Sequence, residues 1–249
     1  MELCTHDLVR EYAGGKIALK GVNIRLRNGI YGLLGANGAG KSTLLRLLAN
    51  LQRPSRGQIL LDGQDVRTLG ADYRRLLGYL PQNFAYYPDF TAKEFLLYLA
   101  ALKGLPAAAA KKQAGQLLVA VGLSEQARRR QRIKTFSGGM KQRLGIAQAL
   151  LGEPKILLFD EPTTGLDPTE RVRFRQLLNT LATDCIVLLS THIISDVALS
   201  APEVILLQSG RVVRSGRPAE LMAEIGADNL EQVYLYYYQG GASDNVKIG

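Results

Sequence analysis

An α/β fold is predicted, in which a parallel sheet surrounds a phosphate-binding turn and carries an antiparallel β subdomain and an all-helical insertion. Three features point to it. The first is Gly35-Ala36-Asn37-Gly38-Ala39-Gly40-Lys41-Ser42, which completes the pattern GxxxxGK[ST]. The second is a pair of continuous apolar runs rich in branched residues, Lys155-Ile156-Leu157-Leu158-Phe159 and Cys185-Ile186-Val187-Leu188-Leu189, separated by the helical stretch Glu170 to Leu181. That is the βαβ signature of a parallel sheet covered on both faces. The third is the segment from Thr91 to about Leu151, rich in Ala, Leu, Gln, Lys and Arg, with Gly104-Leu105-Pro106 and Gly122-Leu123-Ser124 as breaks between helices.

Along the chain, alternating segments such as Leu3 to Val9, Val22 to Leu26 and Gln58 to Leu61, with Gly at the breaks, read as strands before and after the phosphate loop. Ile30-Tyr31-Gly32-Leu33-Leu34 reads as a short buried strand, and Thr43 to Leu48 has the apolar spacing of a helix, so the glycines form the turn between them. This strand-turn-helix context makes the motif specific and the core that of a P-loop NTPase. Glycines let backbone N–H groups wrap phosphates closely, and the emerging helix points its positive dipole end at them. Lys41 supplies a mobile cation for the β- and γ-phosphates, and Ser42 offers a hydroxyl to Mg²⁺. Gly35, Ala36, Asn37, Gly38, Ala39, Gly40, Lys41, Ser42 and Thr43 are therefore candidate nucleotide-binding residues. Thr91-Ala92-Lys93-Glu94 has the form of a capping box and opens the helix at Phe95-Leu96-Leu97. At the end, Ala227 to Gln239 places Leu230, Val233, Tyr234, Tyr237 and Tyr238 near helical spacing, so its tyrosines pack that helix onto the body or onto a partner.

With 249 residues the chain is long enough to bury roughly 70–75% of its unfolded surface without a disulfide staple. Cys4 and Cys185 are the only cysteines, far apart and in no metal-ligand pattern, as expected of reduced thiols in the cytosol. Glu2, Asp7 and Arg10 stand where a secretion signal needs an apolar core, and the longest apolar run, Phe95 to Leu102, is far short of a bilayer span, so neither secretion nor a membrane crossing is expected. There are 31 Lys plus Arg against 22 Asp plus Glu, a net charge of +9, and seven basic but no acidic residues lie between Arg128 and Arg143. Such a stripe can hold nucleic acid, face anionic lipid headgroups, or form a solvated helix surface.

Further candidates converge on the phosphate loop. Asp160 and Glu161 end an apolar strand, which suits an ion-binding acid followed by a catalytic base: Asp160 holding Mg²⁺ through its water shell, Glu161 orienting and deprotonating the attacking water. In a parallel sheet that carboxyl end is where ligands bind. His192 emerges at the same edge after Ser190-Thr191, placed to donate a hydrogen bond to a γ-phosphate. Gln82, just after Leu80-Pro81, is placed to sense Mg²⁺ or the water. Phe136-Ser137-Gly138-Gly139-Met140 reads as a second phosphate-binding turn at a helix start, weak by itself.

Together these segments resemble, in order and over nearly the whole chain, the ATP-binding subunits of ABC transporters. In that resemblance Gly35 to Ser42 is Walker A, Gln82 belongs to the Q-loop, Phe136 to Met140 is the signature, Ile156 to Asp160 followed by Glu161 is Walker B, Gly165-Leu166-Asp167-Pro168 is the D-loop, and His192 is the switch histidine. Tyr12 is similar to the aromatic on which the family stacks adenine. The signature departs from the usual LSGGQ, with Phe136 for Leu and Met140 for Gln, while Ser137, Gly138 and Gly139 match the phosphate-contacting core. Such a variant, followed by Lys141-Gln142-Arg143, resembles subunits of bacterial exporters whose membrane partners are separate polypeptides.

The resemblance implies ATP and Mg²⁺ as cofactors, and a homodimer or heterodimer of ATPase subunits holding two ATP molecules head to tail. Each ATP is then bound by Lys41, Ser42 and Gln82 of one subunit and by Ser137 and Gly139 of the other, with Asp167 nearby. It implies residues 1–90 and 152–225 as the nucleotide-binding core, 91–151 as a helical subdomain and 226–249 as a helical tail. The expected setting is cytoplasmic, peripheral on the inner face of the cell membrane, with transmembrane permease subunits as partners. Phe84-Ala85-Tyr86-Tyr87 looks like a docking surface for a coupling helix, or else fills a domain seam. A soluble regulator with the same ATPase core, acting on DNA or ribosomes, is the competing reading. Its relatives usually carry long coiled coils or tandem ATPase domains, neither of which is found here, so no nucleic-acid partner is expected.

Overall fold

The branched apolar runs form the middle of a six-stranded sheet in the computed structural model, which describes residues 1–238. The strands lie in the order Arg211–Gly216, Glu203–Gln208, Gly29–Leu34, Ile186–Thr191, Ile156–Asp160 and Leu77–Leu80. All neighbours are parallel except the first pair. Side chains alternate along each strand, so both faces are buried. Leu33, Ile156, Leu158, Ile186 and Leu188 share one core with the helix Lys41–Leu48. Leu34, Leu157, Phe159, Val187 and Leu189 share the other with the helical insertion.

The antiparallel sheet closes the first core. Its order is Ile17–Val22, Glu2–Glu11, Arg56–Leu61 and Gln64–Asp65, and Arg25–Arg27 also pairs with Glu2–Glu11. Val22 to Leu26, expected as one strand, is interrupted at Asn23 and Ile24. Thr5 explains the break: its hydroxyl donates to Val22 O at 2.8 Å and accepts from Ile24 N at 3.0 Å. Asn23 Oδ1 meanwhile accepts from the amide of Asp7, a bulged residue at φ 45°.

Helices Ala92–Leu102, Ala107–Ala120, Ser124–Arg128 and Gly138–Leu150 form the insertion. Both halves of the Thr91 capping box are made, Thr91 Oγ1 accepting from Glu94 N at 3.2 Å and Glu94 Oε2 from Thr91 N at 2.8 Å. The strands Leu77–Leu80, Glu203–Gln208 and Arg211–Gly216 and the helices Ile194–Ser200 and Pro218–Ile225 were not foreseen. The terminal helix spans Leu230–Tyr238; Gln239 and the remainder of the expected tail to residue 249 lie outside the described residues.

The insertion seats against the sheet edge at Gly78, where a Cβ would collide with the carbonyl oxygen of Ala149 and lie 2.8 Å from Leu157 Cδ2. Gly78→Ala is expected to lower unfolding stability by about 1–3 kcal/mol through overpacking, checked by urea denaturation.

Candidate functional site

Parallel strands end together, and register brings Leu34 beside Thr191 and Asp160 beside Ser190 at the carboxyl edge. The loop after Leu34 turns there into the helix Lys41–Leu48. Gly40 makes the turn at φ 111°, and a Cβ on it would stand 2.7 Å from Ala18 O, so the loop lies tightly on the antiparallel sheet. One cleft is lined by Tyr12, Ala36, Asn37, Gly38, Gly40, Lys41, Ser42, Thr43, Gln82 and Glu161. Lys16 and Ala18, which the sequence had not singled out, line it as well. Ala39 instead points into the core, and Gly35 packs against Leu207 O.

Lys41 is buried, its Nζ donating to Gly35 O at 2.6 Å and Ala36 O at 3.3 Å and standing 3.9 Å from Glu161 Oε1. Burial lowers its pKa, opposed by the carboxylates of Glu161 and Asp160. Asp160 is 1% exposed; its Oδ1 accepts from Ser190 Oγ at 2.6 Å, while its Oδ2 is buried without a hydrogen-bond partner. An unmatched buried carboxylate oxygen beside a phosphate loop suits the water shell of a divalent cation.

Glu161 occupies left-handed space at φ 54°, its amide donating to Ser190 O at 3.0 Å. Strain at a non-glycine residue persists only where its surroundings enforce it. Here Gln142 Nε2 donates to the carbonyls of Glu161, at 3.2 Å, and Pro162, at 3.0 Å. His192 Nδ1 lies 2.9 Å from Glu161 Oε2, its ring 52% exposed. The histidine thus meets the carboxylate and does not line the cleft itself. Tyr12 Oη bonds Gln52 Oε1 at 3.0 Å and approaches Thr43 Oγ1 at 3.3 Å, with the Arg10 guanidinium over its ring at 4.7 Å.

Ser137, Gly138, Gly139 and Asp167 are not brought to this cleft. Ser137 Oγ caps the helix Gly138–Leu150 by accepting from Met140 N, and Ser137 and Gly138 are exposed. Asp167 Oδ1 caps the helix Pro168–Leu181 through Glu170 N at 2.9 Å. Phe136 is buried and Met140 packs on the core, so the two variant signature positions are used in packing.

The profile of a family described as ABC transporter matches residues 19–164. The chain belongs to this family. It is 42% identical over 205 residues to the uncharacterized ABC transporter ATP-binding protein YxlF of Bacillus subtilis, covering 82% of this chain and 67% of the relative. Against the linearmycin resistance ATP-binding protein LnrL of the same species the identity is 34%, with coverages of 90% and 72%. Against the methionine import ATP-binding protein MetN of Caulobacter vibrioides it is 38%, with 89% and 69%. A solved dimeric ATP-binding cassette, in a post-hydrolysis state with ADP and Pi, superposes with a TM-score of 0.78 at 28% identity, covering 86% and 98%. The protein is an ATP-binding and ATP-hydrolysing subunit of an ABC transporter. Subunits of this kind dimerise and work with transmembrane subunits.

Ser190→Ala removes a bond to the buried Asp160 carboxylate. It is expected to destabilise the fold by about 1–3 kcal/mol, read from the urea midpoint without nucleotide.

Proposed function

We propose that the cleft binds ATP with Mg²⁺ and that Glu161 is the general base. The observation that carries this reading is the buried group at the sheet edge, where Lys41, Asp160 and Glu161 face the phosphate loop. Lys41 leaves the carbonyls of Gly35 and Ala36 for the β- and γ-phosphates, which the amides from Asn37 to Thr43 surround. Tyr12 stacks on adenine. Ser42, Asp160 and Gln82 would hold Mg²⁺, which when bound neutralises phosphate charge. Glu161 takes the proton of the attacking water, and His192 holds that carboxylate through Nδ1.

The signature turn, with Ser137 and Gly138 exposed beside Gly139, supports a site completed by a second ATPase subunit, identical or different, with Asp167 at the same seam. ATP closes the pair and hydrolysis reopens it. The motion passes to a separate permease at the inner face of the membrane through Phe84 to Tyr87. Tyr87 there is 47% exposed and packs edge-on against Tyr98. Among the described residues no helix is long and apolar enough to cross a membrane, so the substrate path belongs to that partner. The signature variant and the linearmycin resistance relative favour export, and the methionine import relative favours the opposite direction. The basic stripe is largely paired: Arg129 with Glu125, Arg130 with Glu94, Lys134 with Asp89 and Arg143 with Glu170. Cations matched within the chain favour a solvated face over a nucleic-acid track.

Glu161→Gln is expected to retain ATP binding and lose about 10²–10⁴-fold in turnover, and an undiminished kcat refutes the assignment. Lys41→Ala is expected to weaken ATP binding, checked by titration with a fluorescent nucleotide. Copurification with a multi-span protein from detergent-solubilised membranes tests the partner; salt-dependent RNA binding by an entirely soluble protein overturns it.

A further inference from the structure

The amide of Ala36, second residue of the phosphate loop, donates to the hydroxyl of Tyr238 at 2.9 Å, across most of the chain length. Tyr238 ends the helix Leu230–Tyr238, which is held by the buried side chains of Leu230 and Val233. Its ring stacks on Tyr234, centroids 4.6 Å apart and planes 22° apart. Its carbonyl accepts from Gln208 Nε2 at 3.0 Å. Gln208 ends the strand Glu203–Gln208, which pairs in parallel with the strand leading into the phosphate loop, so both ends of this contact are fixed to the same sheet.

Ala36 is therefore gripped from two sides. Its carbonyl accepts from Ala39 N at 3.1 Å and from Lys41 Nζ at 3.3 Å, while its amide faces the tyrosine. Ala36 lines the nucleotide cleft and Tyr238 does not, so the phenol approaches from outside and leaves the phosphate position open. The same terminal helix packs on Ile194–Ser200, the helix that follows His192.

We propose that Tyr238 is a positioning residue for the phosphate loop: its hydroxyl presets the Ala36 peptide in the conformation that receives the nucleotide, so the terminal helix tunes ATP affinity. When Lys41 turns from the loop carbonyls to the phosphates, the Ala39 amide still holds the Ala36 carbonyl, and the tyrosine is the contact that holds its amide. Without it the loop samples other conformations, and binding must select the competent fraction. The inference rests on the reading of Gly35 to Ser42 as the ATP site.

Tyr238→Phe keeps the ring and removes only the hydroxyl. The expected result is ATP and ADP binding weakened about five- to tenfold, the scale of one lost hydrogen bond to an amide, with kcat at saturating ATP within about twofold of wild type. Without nucleotide, hydrogen exchange at the Ala36 amide is expected to quicken, a change that general loosening of the terminal helix does not single out. Tyr236→Phe, at an exposed ring of the same helix, is expected to change neither quantity. Wild-type affinity and exchange in Tyr238→Phe overturn the proposal. So does tighter binding, which makes the phenol a competitor of nucleotide, and so does a fall in kcat at unchanged KM. Lys41→Ala separates the two levels: if it also leaves affinity unchanged, the ATP site itself is misassigned; if it abolishes binding while Tyr238→Phe does nothing, only the role of Tyr238 fails.

Discussion

Burial of both faces of the parallel sheet is the constraint from which the site follows. Strands such as Ile156–Asp160 and Ile186–Thr191 are buried at every position, so a polar group has little place along them. Chemistry is confined to the ends, and parallel pairing collects the carboxyl ends of five strands on one side. Asp160, Ser190 and Thr191 are the last residues before the strands stop, and each is almost wholly shielded. The phosphate loop leaves the neighbouring strand at the same level. A cation, two carboxylates and a ring of amides thus meet through strand register, without a dedicated pocket-forming domain.

Burial makes those charges expensive unless they are matched. Lys41 satisfies its ammonium with two loop carbonyls and has Glu161 within 3.9 Å, and Asp160 takes the Ser190 hydroxyl on one oxygen. The match is incomplete at the second oxygen of Asp160. It is also held by strain, since Glu161 keeps a left-handed backbone under the grip of Ser190 and Gln142. A site with one carboxylate oxygen in deficit and a lysine parked on its own loop suits the proposed ligand, which brings a cation and phosphates together. Gln142 further ties the start of the signature helix to the carbonyl of Glu161, so a shift of the insertion reaches the acid through two hydrogen bonds.

Local patterns were legible in the sequence because they are short and complete in themselves. The glycine loop between Leu34 and Lys41, the acid pair after Phe159 and the Thr91 capping box each carry their context within a few residues. The strands Glu203–Gln208 and Arg211–Gly216 carry weaker signals: the first has four apolar residues between polar ends, and the second has only Val212 and Val213, so neither resembles the long branched runs. Val22 to Leu26 was misread because Thr5, far upstream, bonds both sides of Asn23. The roles of Gln142 and Tyr238 left no trace in spacing. Each is a side chain reaching a backbone group of another element, and such contacts depend on tertiary placement that periodicity does not encode.

The same distinction separates the two glycine-rich turns. Gly35 to Ser42 is backed by strand, helix and the antiparallel sheet, and most of its residues line a cleft within the chain. Ser137 to Gly139 has the same local chemistry, a capped helix start with small residues, yet it does not line that cleft, and Ser137 and Gly138 are exposed. Ser137 Oγ accepts from Met140 N and keeps its own hydroxyl proton to donate, beside the exposed backbone and the helix dipole, which acts only over a short range. In the proposed dimer, an anion held in the first cleft meets this turn on another copy of the fold. The proposed closure joins a buried group that holds charge to an exposed turn with a hydroxyl to offer.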